Sequence, residues 1–443
     1  MNNYVTAIDL GTTKVIIMVG EKTESGYRII AYREAPTKGV IRGEVVNIQN
    51  VLDSLLPLIN DIKNTDHIDI QEVYVGIAGQ NIQCNLQSLP RNRSRSEDLI
   101  SEAEVEEMAI EMTNCRVKEG EKILHVIPQS YNVDDHIGVD SASGMTGKSI
   151  EGIYKLFIGK TISVDHSKIV IQKAGLKLKD LILEPIASAK AVLTEDDMEM
   201  GVAMVDMGGG TTDLLIYYNN IIRHTAVIPF GGNSITEDLR QGCNVSLKNA
   251  ELIKTKYGSC FSEYAPDNKS LTIPGTNVTE NRSIPFKLIA SIIEARVEEL
   301  IEAIMYEIKK SGYINKLGAG IVITGGGSQL TNLRQLVKYT TGFSTRIASP
   351  TINITSDTPK HICNPAAATA FGLVIHGFEK PRNFIDAQPT NDTLFQGIEM
   401  EISEVAPKET SKTKQKQTKK KASFKSAIDY IVGNIFENTN NEA

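Results

Sequence analysis

The sequence predicts an α/β protein built from two related halves, and three observations carry that expectation. A strand–Asp–Gly–Thr–strand pattern occurs twice, as VTAIDLGTTKVIIMV (Val5–Val19) and as VAMVDMGGGTTDLLIY (Val202–Tyr217). Around both copies, short apolar runs bounded by turn residues alternate with stretches of helical period, as strands and helices do in a layered α/β fold. A third apolar run, GIVITGGGSQL (Gly320–Leu330), also ends in glycines.

In the later copy a strand ends at Asp206, Gly208, Gly209 and Gly210 turn the chain, Thr211 and Thr212 follow, and Asp213 opens the next strand. Glycines let such a turn close tightly and let the backbone approach an anion, because no Cβ intervenes. Successive N–H groups then form a concavity suited to phosphate. Asp206 at the strand end suits Mg²⁺ held through water. An ordinary Gly-rich hairpin turn would read the same way in isolation. The earlier copy, with Asp9, Gly11, Thr12, Thr13 and Lys14, changes that: two such hairpins suggest two halves clamping one phosphate chain. Neither a Walker loop nor a dinucleotide fingerprint is present.

The chain has 443 residues, enough for two or three domains, with 41% hydrophobic and 23% charged residues, as in soluble globular proteins. A net charge of −7 argues against a general nucleic-acid binder. Cys84, Cys115, Cys243, Cys260 and Cys363 are odd in number and lack metal spacing, which fits reduced thiols. MNNYVTAIDL enters a strand at once and reads as no signal peptide. No apolar run reaches the about 18 residues of a membrane span.

In chain order, Tyr27–Arg33 reads as a strand, Gly39–Asn47 as a loop, Val51–Lys63 as a helix with the unfavourable Pro57 in its middle, and Glu72–Ala78 as a strand. From about Cys84 to Asp165 the texture suggests a small inserted α+β subdomain. PRNRSRSE (Pro90–Glu97) reads as a solvated charged loop, and Ser101 with Glu104 as a capping box opening a helix to Met112. Ile123–Asp135 reads as a strand broken by Pro128, Gly144–Gly147 as a turn, and Gly152–Thr161 as a strand. His125, alone in an apolar run, reads as a satisfied core residue rather than a ligand. Ser167–Gly175 returns to a helix of the main body. LILEPIASAKAVL (Leu181–Leu193) gives a strand and an alanine-rich helix, with Glu184 at the junction where open α/β sheets place active-site carboxylates.

After the Asp206 hairpin come a strand (Ile221–Ile228), a loop at Gly231 and Gly232, and a helix from Ser234 to Leu239. Leu247–Tyr257 reads as a helix with Glu251 and Lys254 on nearly one face, suited to a solvated pair or to a ribose. Ser259–Arg282 reads as loop or hairpin. Pro285–Ser311 is a long helix whose apolar stripe runs through Ile289, Ile293, Val297, Leu300 and Ile304, with Arg296 and Glu299 towards its polar side. The glycines after Gly320–Thr324 suggest a helix N-terminus suited to a phosphate, and NPAAATAFGLVIHG (Asn364–Gly377) a closing helix.

Lys380–Lys421 reads as a linker. Lys408–Lys421 holds seven lysines and one glutamate, and Phe424, Ile428, Ile431, Val432, Ile435 and Phe436 then recur at helical steps. An apolar face behind Lys419, Lys420, Lys421 and Lys425 is the pattern of a helix lying in a membrane surface. The alternative is a helix docking on the body or on a partner.

IDLGTTK, EPIASAKAVL, VDMGGGTTDL, VITGGGSQL and NPAAATAFGL together resemble the five nucleotide-site segments of the actin, DnaK-type chaperone and sugar-kinase superfamily. HVIPQSYNVDD, SGMTGKSIEG, AELIKTKYG, IIEARVEELIE and the terminal amphipathic pattern resemble the FtsA family of bacterial cell-division proteins. Asp140, Ser141 and Ala142 depart from the Asn-Pro more usual there. The resemblance implies an actin-like fold of duplicated ribonuclease-H-like halves: 1–83 with 166–193, then 194–378, with 231–300 as a smaller subdomain. It further implies an FtsA-specific insert at 84–165, a linker at 379–421 and a membrane-targeting helix at 422–437.

By the same resemblance, the Asp9 and Asp206 loops hold ATP phosphates and Mg²⁺, and Glu184 with Asp206 are the candidate catalytic carboxylates. Gly232, Glu251, Lys254, Gly325, Gly326, Gly327 and Ser328 complete the nucleotide site. Any ATPase activity is weak. The implied function is to tether FtsZ filaments to the cytoplasmic face of the membrane at the septum. The implied partners are the FtsZ C-terminal tail (met by Arg296 and Glu299), further copies of the chain in filaments, anionic lipids and later division proteins. A pilus-assembly type adaptor and a small-molecule kinase of the superfamily are the alternatives; the kinase would need a dedicated second carboxylate motif that the sequence lacks.

Overall fold

Two five-stranded sheets of the same topology organise the chain, and a helical layer lies between them. The computed structural model describes residues 4–273, 282–379 and 385–386. β1 (Tyr4–Leu10), β2 (Lys14–Thr23) and β3 (Gly26–Pro36) form an antiparallel meander. A small hairpin, β4 (Val40–Ile41) and β5 (Glu44–Val45), lies within the segment expected as a loop. α1 (Ile48–Asp61) follows, and Pro57 is carried inside it without ending it. β6 (Glu72–Ile77) then pairs parallel to β1.

The insert comprises β7 (Gln83–Asn92), α2 (Glu102–Thr113), β8 (Glu121–Val133), β9 (His136–Val139) and β10 (Ser149–Lys160). The chain returns through α3 (Thr161–Lys173), β11 (Lys177–Leu183) and α4 (Glu184–Val192). The second half runs α5 (Glu195–Met200), β12 (Val202–Met207), β13 (Thr212–Tyr218), β14 (Ile221–Ile228), α6 (Gly232–Gly242) and α7 (Leu247–Tyr257). It continues as β15 (Ser270–Ile273), β16 (Arg282–Pro285), α8 (Phe286–Lys310), β17 (Gly320–Thr324), α9 (Leu333–Thr341), β18 (Thr345–Ile347) and α10 (Ala368–Phe378).

The sheet orders are β3-β2-β1-β6-β11 and β14-β13-β12-β17-β18, in each case a meander followed by two parallel strands. β1 and β12 are buried along nearly their whole length, as strands covered on both faces must be. α4 and α10 fill the space between the sheets: α10 packs on β1, β2 and β6, and α4 on β12 and β13. Small residues permit this contact, since a Cβ on Gly372 would collide with the carbonyl oxygen of Ala187. α10 thus belongs in space to the first half, although its place in the chain is with the second.

The insert has its own core of Met108, Met112, Tyr154 and Leu156 beneath α2. β8 runs unbroken through Pro128, with a register shift beside Gln129 where a break was expected; a bulge accommodates the residue that cannot donate to the ladder. The charged run is a solvated loop only in part: Ser94, Arg95 and Glu97 are exposed beyond the strand end. Pro90–Asn92 ends β7, Arg91 pairs with Glu111 at 2.9 Å, and Arg93, its side chain only 7% exposed, pairs with Glu104 at 2.8 Å. Ser101 caps α2 by accepting from the Glu104 N–H, while the Glu104 carboxylate goes to Arg93. His125 is fully buried, and its Nε2 accepts from the Leu183 N–H at 3.1 Å. Gln129 donates to the carbonyl of Ile222 at 2.9 Å, and Lys155 donates to that of Arg223. The insert therefore touches both halves.

Beyond α10, β19 (Ile385–Asp386), within the stretch expected as linker, pairs antiparallel with β8. The expected tail helix and its basic flank, Lys419 to Phe436, lie outside the described residues.

Gly372→Val should lower stability by about 1–3 kcal/mol through overpacking. A urea melt with an unchanged midpoint would show that α4 and α10 tolerate separation.

Candidate functional site

The two hairpin turns are equal in length and face one another. Leu10 pairs with Val15 and Met207 with Thr212, so Gly11–Lys14 and Gly208–Thr211 are matching four-residue turns. A Cβ on Gly210 would come within 2.6 Å of Thr12 Oγ1, and one on Gly209 would collide with Thr13 Oγ1. The threonines of one turn occupy the room that glycine leaves in the other. Further hydrogen bonds hold both in place. The Gly43 N–H, from the β4–β5 hairpin, donates to Thr12 Oγ1 at 3.0 Å. Gly232 and Asn233, opening α6, donate to the carbonyls of Gly208 and Gly209 at 2.9 and 2.8 Å.

These turns border a cavity of about 320 Å³, the volume class of a small-molecule site. Asp9, Glu184, Asp206 and Asp213 line it. Burial pushes the Asp9 carboxyl up to about 7, helped by the charge of Asp206 and opposed by Lys14. Burial likewise raises Asp213 to about 8, again with Asp206 adding to it, and holds Asp206 and Glu184 above the usual carboxylate range. Asp206 Oδ2 accepts from Ser188 at 2.6 Å, and Asp213 Oδ2 from Thr211 at 3.1 Å. Asp213 Oδ1 is buried with no hydrogen-bond partner. Four carboxyls around one space, one with an orphaned oxygen, suit a cation. Among the described residues no three His, Cys, Asp or Glu side chains form a cage, so a cation fitting here would keep waters in its shell.

Lys254, also on the cavity lining, reaches Glu251 at 2.7 Å and donates to the Gly232 carbonyl at 3.0 Å. Gly325, at φ 83, admits no side chain because its Cβ would strike Asp206 Oδ1. Gly326 and Gly327 line the cavity beside Gln329. The expected helix does not begin there: Gly326–Gln329 is one 3₁₀ turn, and α9 starts only at Leu333. Ser328 is buried with its hydroxyl on the Gly325 carbonyl, and Thr212 with its hydroxyl on the Phe230 carbonyl, so both are turned away from the cavity. Lys14 lines the cavity while pairing with Glu34 at 2.6 Å. Lining residues outside the expected set include Gly43, Asp213, Asn233 and Thr369. Asp213 was visible as the close of the GGGTTD run; Gly43 arrives by a hairpin that leaves no chemical signature.

Arg296 lies apart from the cavity. It grips Asp238 of α6 through two bonds of 2.6 and 3.0 Å and reaches Glu299 at 2.6 Å.

A model of the family "Cell division protein FtsA" matches residues 203–372, and one of the "SHS2 domain inserted in FTSA" matches 79–157. The cell division protein FtsA of Neisseria meningitidis serogroup B is 32% identical over 375 residues, spanning 84% of this chain and 89% of that protein. The chain belongs to the FtsA family. The FtsA of Escherichia coli K12 is 30% identical over 86% of this chain and 91% of its own length. Among solved structures, a PilM–PilN type IV pilus biogenesis complex is similar with TM-score 0.58 at 16% identity, over 85% of this chain and 98% of that one. MreB5 of Spiroplasma citri, bound to ADP, is similar with TM-score 0.51 at 15% identity, over 85% and 96%. These likenesses show an actin-like fold. In FtsA terms the β7–β10 region is the family's insert, and the role is in cell division. Among the described residues no helix is long and apolar enough to cross a membrane.

Because folding raises these carboxyls, their protonation favours the folded state. That contribution is complete below about pH 4, the ordinary aspartate range, and is lost as the pH rises through about 7 to about 8, where Asp9 and Asp213 ionise. The ligand-free chain should lose up to about 1.4 kcal/mol of stability per pH unit for each such carboxyl. Thermal melts between about pH 6 and about pH 8.5 test this, and a melting point rising with pH across that window contradicts it.

Proposed function

We propose that the chain is an ATP-binding, membrane-tethered adaptor that holds FtsZ filaments at the cytoplasmic face of the membrane during division. The observation that carries the nucleotide part is the cavity bordered by two interlocked Gly/Thr turns. Their backbone N–H groups suit phosphate, and the carboxyls behind them suit a hydrated Mg²⁺. Asp9 and Asp206 are the groups we assign to that cation's waters, Glu184 to a water near the terminal phosphate, and Glu251 with Lys254 to the ribose. When bound, Mg²⁺ supplies screening of the phosphate charge. Membership of the FtsA family supports the division role, and the sequence from Lys408 to Phe436 supports the tether, each lysine near an anionic surface contributing about 1 kcal/mol. Arg296 and Glu299 are assigned to the FtsZ tail, the insert to contacts between copies, and any slow hydrolysis to switching between polymer states.

Co-sedimentation with anionic vesicles, with and without ATP, tests the tether. The full chain should pellet and carry FtsZ with it, while a chain ending at Lys421 should leave both in the supernatant. Equal behaviour of the two chains would sink the anchor. For the nucleotide, Gly210→Val should weaken ATP binding by at least about tenfold, since its side chain must displace Thr12 and part the turns. Calorimetry that finds unchanged affinity would remove the turns from the site.

A further inference from the structure

Two alanine-rich helices each bring one hydroxyl to the same carboxylate. Ser188 is the only hydroxyl residue of α4, EPIASAKAV, and Thr369 the only one of α10, ATAFGLVIHGF. Ser188 is fully buried and Thr369 only 8% exposed. Their oxygens lie 3.0 Å apart, and both meet Asp206 Oδ2, Ser188 at 2.6 Å and Thr369 at 3.4 Å. The short bond requires Ser188 to donate to the carboxylate, which leaves its lone pairs for Thr369. The other oxygen, Oδ1, lies against Gly325 where no Cβ could stand. Asp206 is thus held on one side by two hydroxyls and bounded on the other by backbone.

The helices lie in the layer between the sheets, whereas Asp206 ends β12 of the second half. The contact therefore crosses the midline of the molecule at the floor of the cavity. Alanine at 188 and valine at 369 would keep nearly the same packing shape, so what the hydroxyls add is direction. We propose that Ser188 and Thr369 are positioning residues that aim Asp206 at the hydrated cation of the nucleotide. The proposal rests on the reading of the cavity as a Mg²⁺–nucleotide site. Partners that orient a metal-directed carboxylate typically change metal affinity about 10–100-fold when removed. Here the cation is reached through water and a second hydroxyl remains, so the low end of that range is expected.

The experiment is a titration of the full chain with a fluorescent ATP analogue, once against increasing Mg²⁺ and once in EDTA. Ser188→Ala should raise the Mg²⁺ concentration for half-maximal binding about tenfold and leave affinity in EDTA unchanged, which also shows that the variant folds. Thr369→Val should give a smaller rise, about threefold, as suits the longer bond, and Thr369→Ser should behave as wild type. This pair answers the question should Ser188→Ala fail to fold. An unchanged Mg²⁺ requirement in the alanine and valine variants overturns the proposal, as does an equal loss with and without Mg²⁺, which would make the hydroxyls structural only. A wild-type chain that binds the analogue with no Mg²⁺ dependence overturns the cation reading itself, and the positioning role with it.

Discussion

The fit of the two hairpin turns is the constraint on which the rest of the structure depends. Glycine at 209 and 210 lets Thr13 and Thr12 close against the opposite backbone, and that closeness sets the separation of the two sheets at one end. Matching topology brings equivalent turns to the same midline, and equal turn length puts them in phase. The cavity is what remains beside the contact. Its carboxyls are buried around one space, which holds them above the usual carboxylate range, and a bound cation would favour their ionised forms.

A helical layer between two sheets needs residues small enough for both to approach. α4 and α10 meet this with alanine and with Gly372 set against Ala187. Small residues make the layer thin, and thinness brings Ser188 and Thr369 within hydrogen-bonding distance of Asp206. Packing and chemistry therefore place the same demand on these helices.

Much of this was legible in the sequence. The duplicated Asp–Gly–Thr pattern located both turns, and strands flanked by turn residues gave both sheets all their members but the short edge strand β18, because buried strands are locally apolar. What local pattern cannot show is where a side chain goes when the partner is distant. Thr212 looked like a phosphate ligand and spends its hydroxyl on Phe230, and Ser328 does the same with Gly325. Arg93 sat in a run that reads as solvated, but folding carries Glu104 to it from α2. Pro128 reads as a strand breaker, and a bulge absorbed it. The glycines after β17 looked like a helix start, but the chain makes one tight turn first. The family resemblance agreed with the comparisons because its motifs lie in the described body; the tail pattern lies beyond it.

The insert is anchored at two points of unequal kind. On one side His125 accepts from the N–H of Leu183, the residue immediately before Glu184; on the other, Gln129 and Lys155 hold the carbonyls of β14. Both anchors share one strand pair, β8 and β10, so a load applied to the insert divides between the wall of the cavity and the edge of the far sheet. In mechanical terms the insert is a yoke: traction on it bears on both halves at once, with one arm ending a single residue from the carboxylate that faces the cavity.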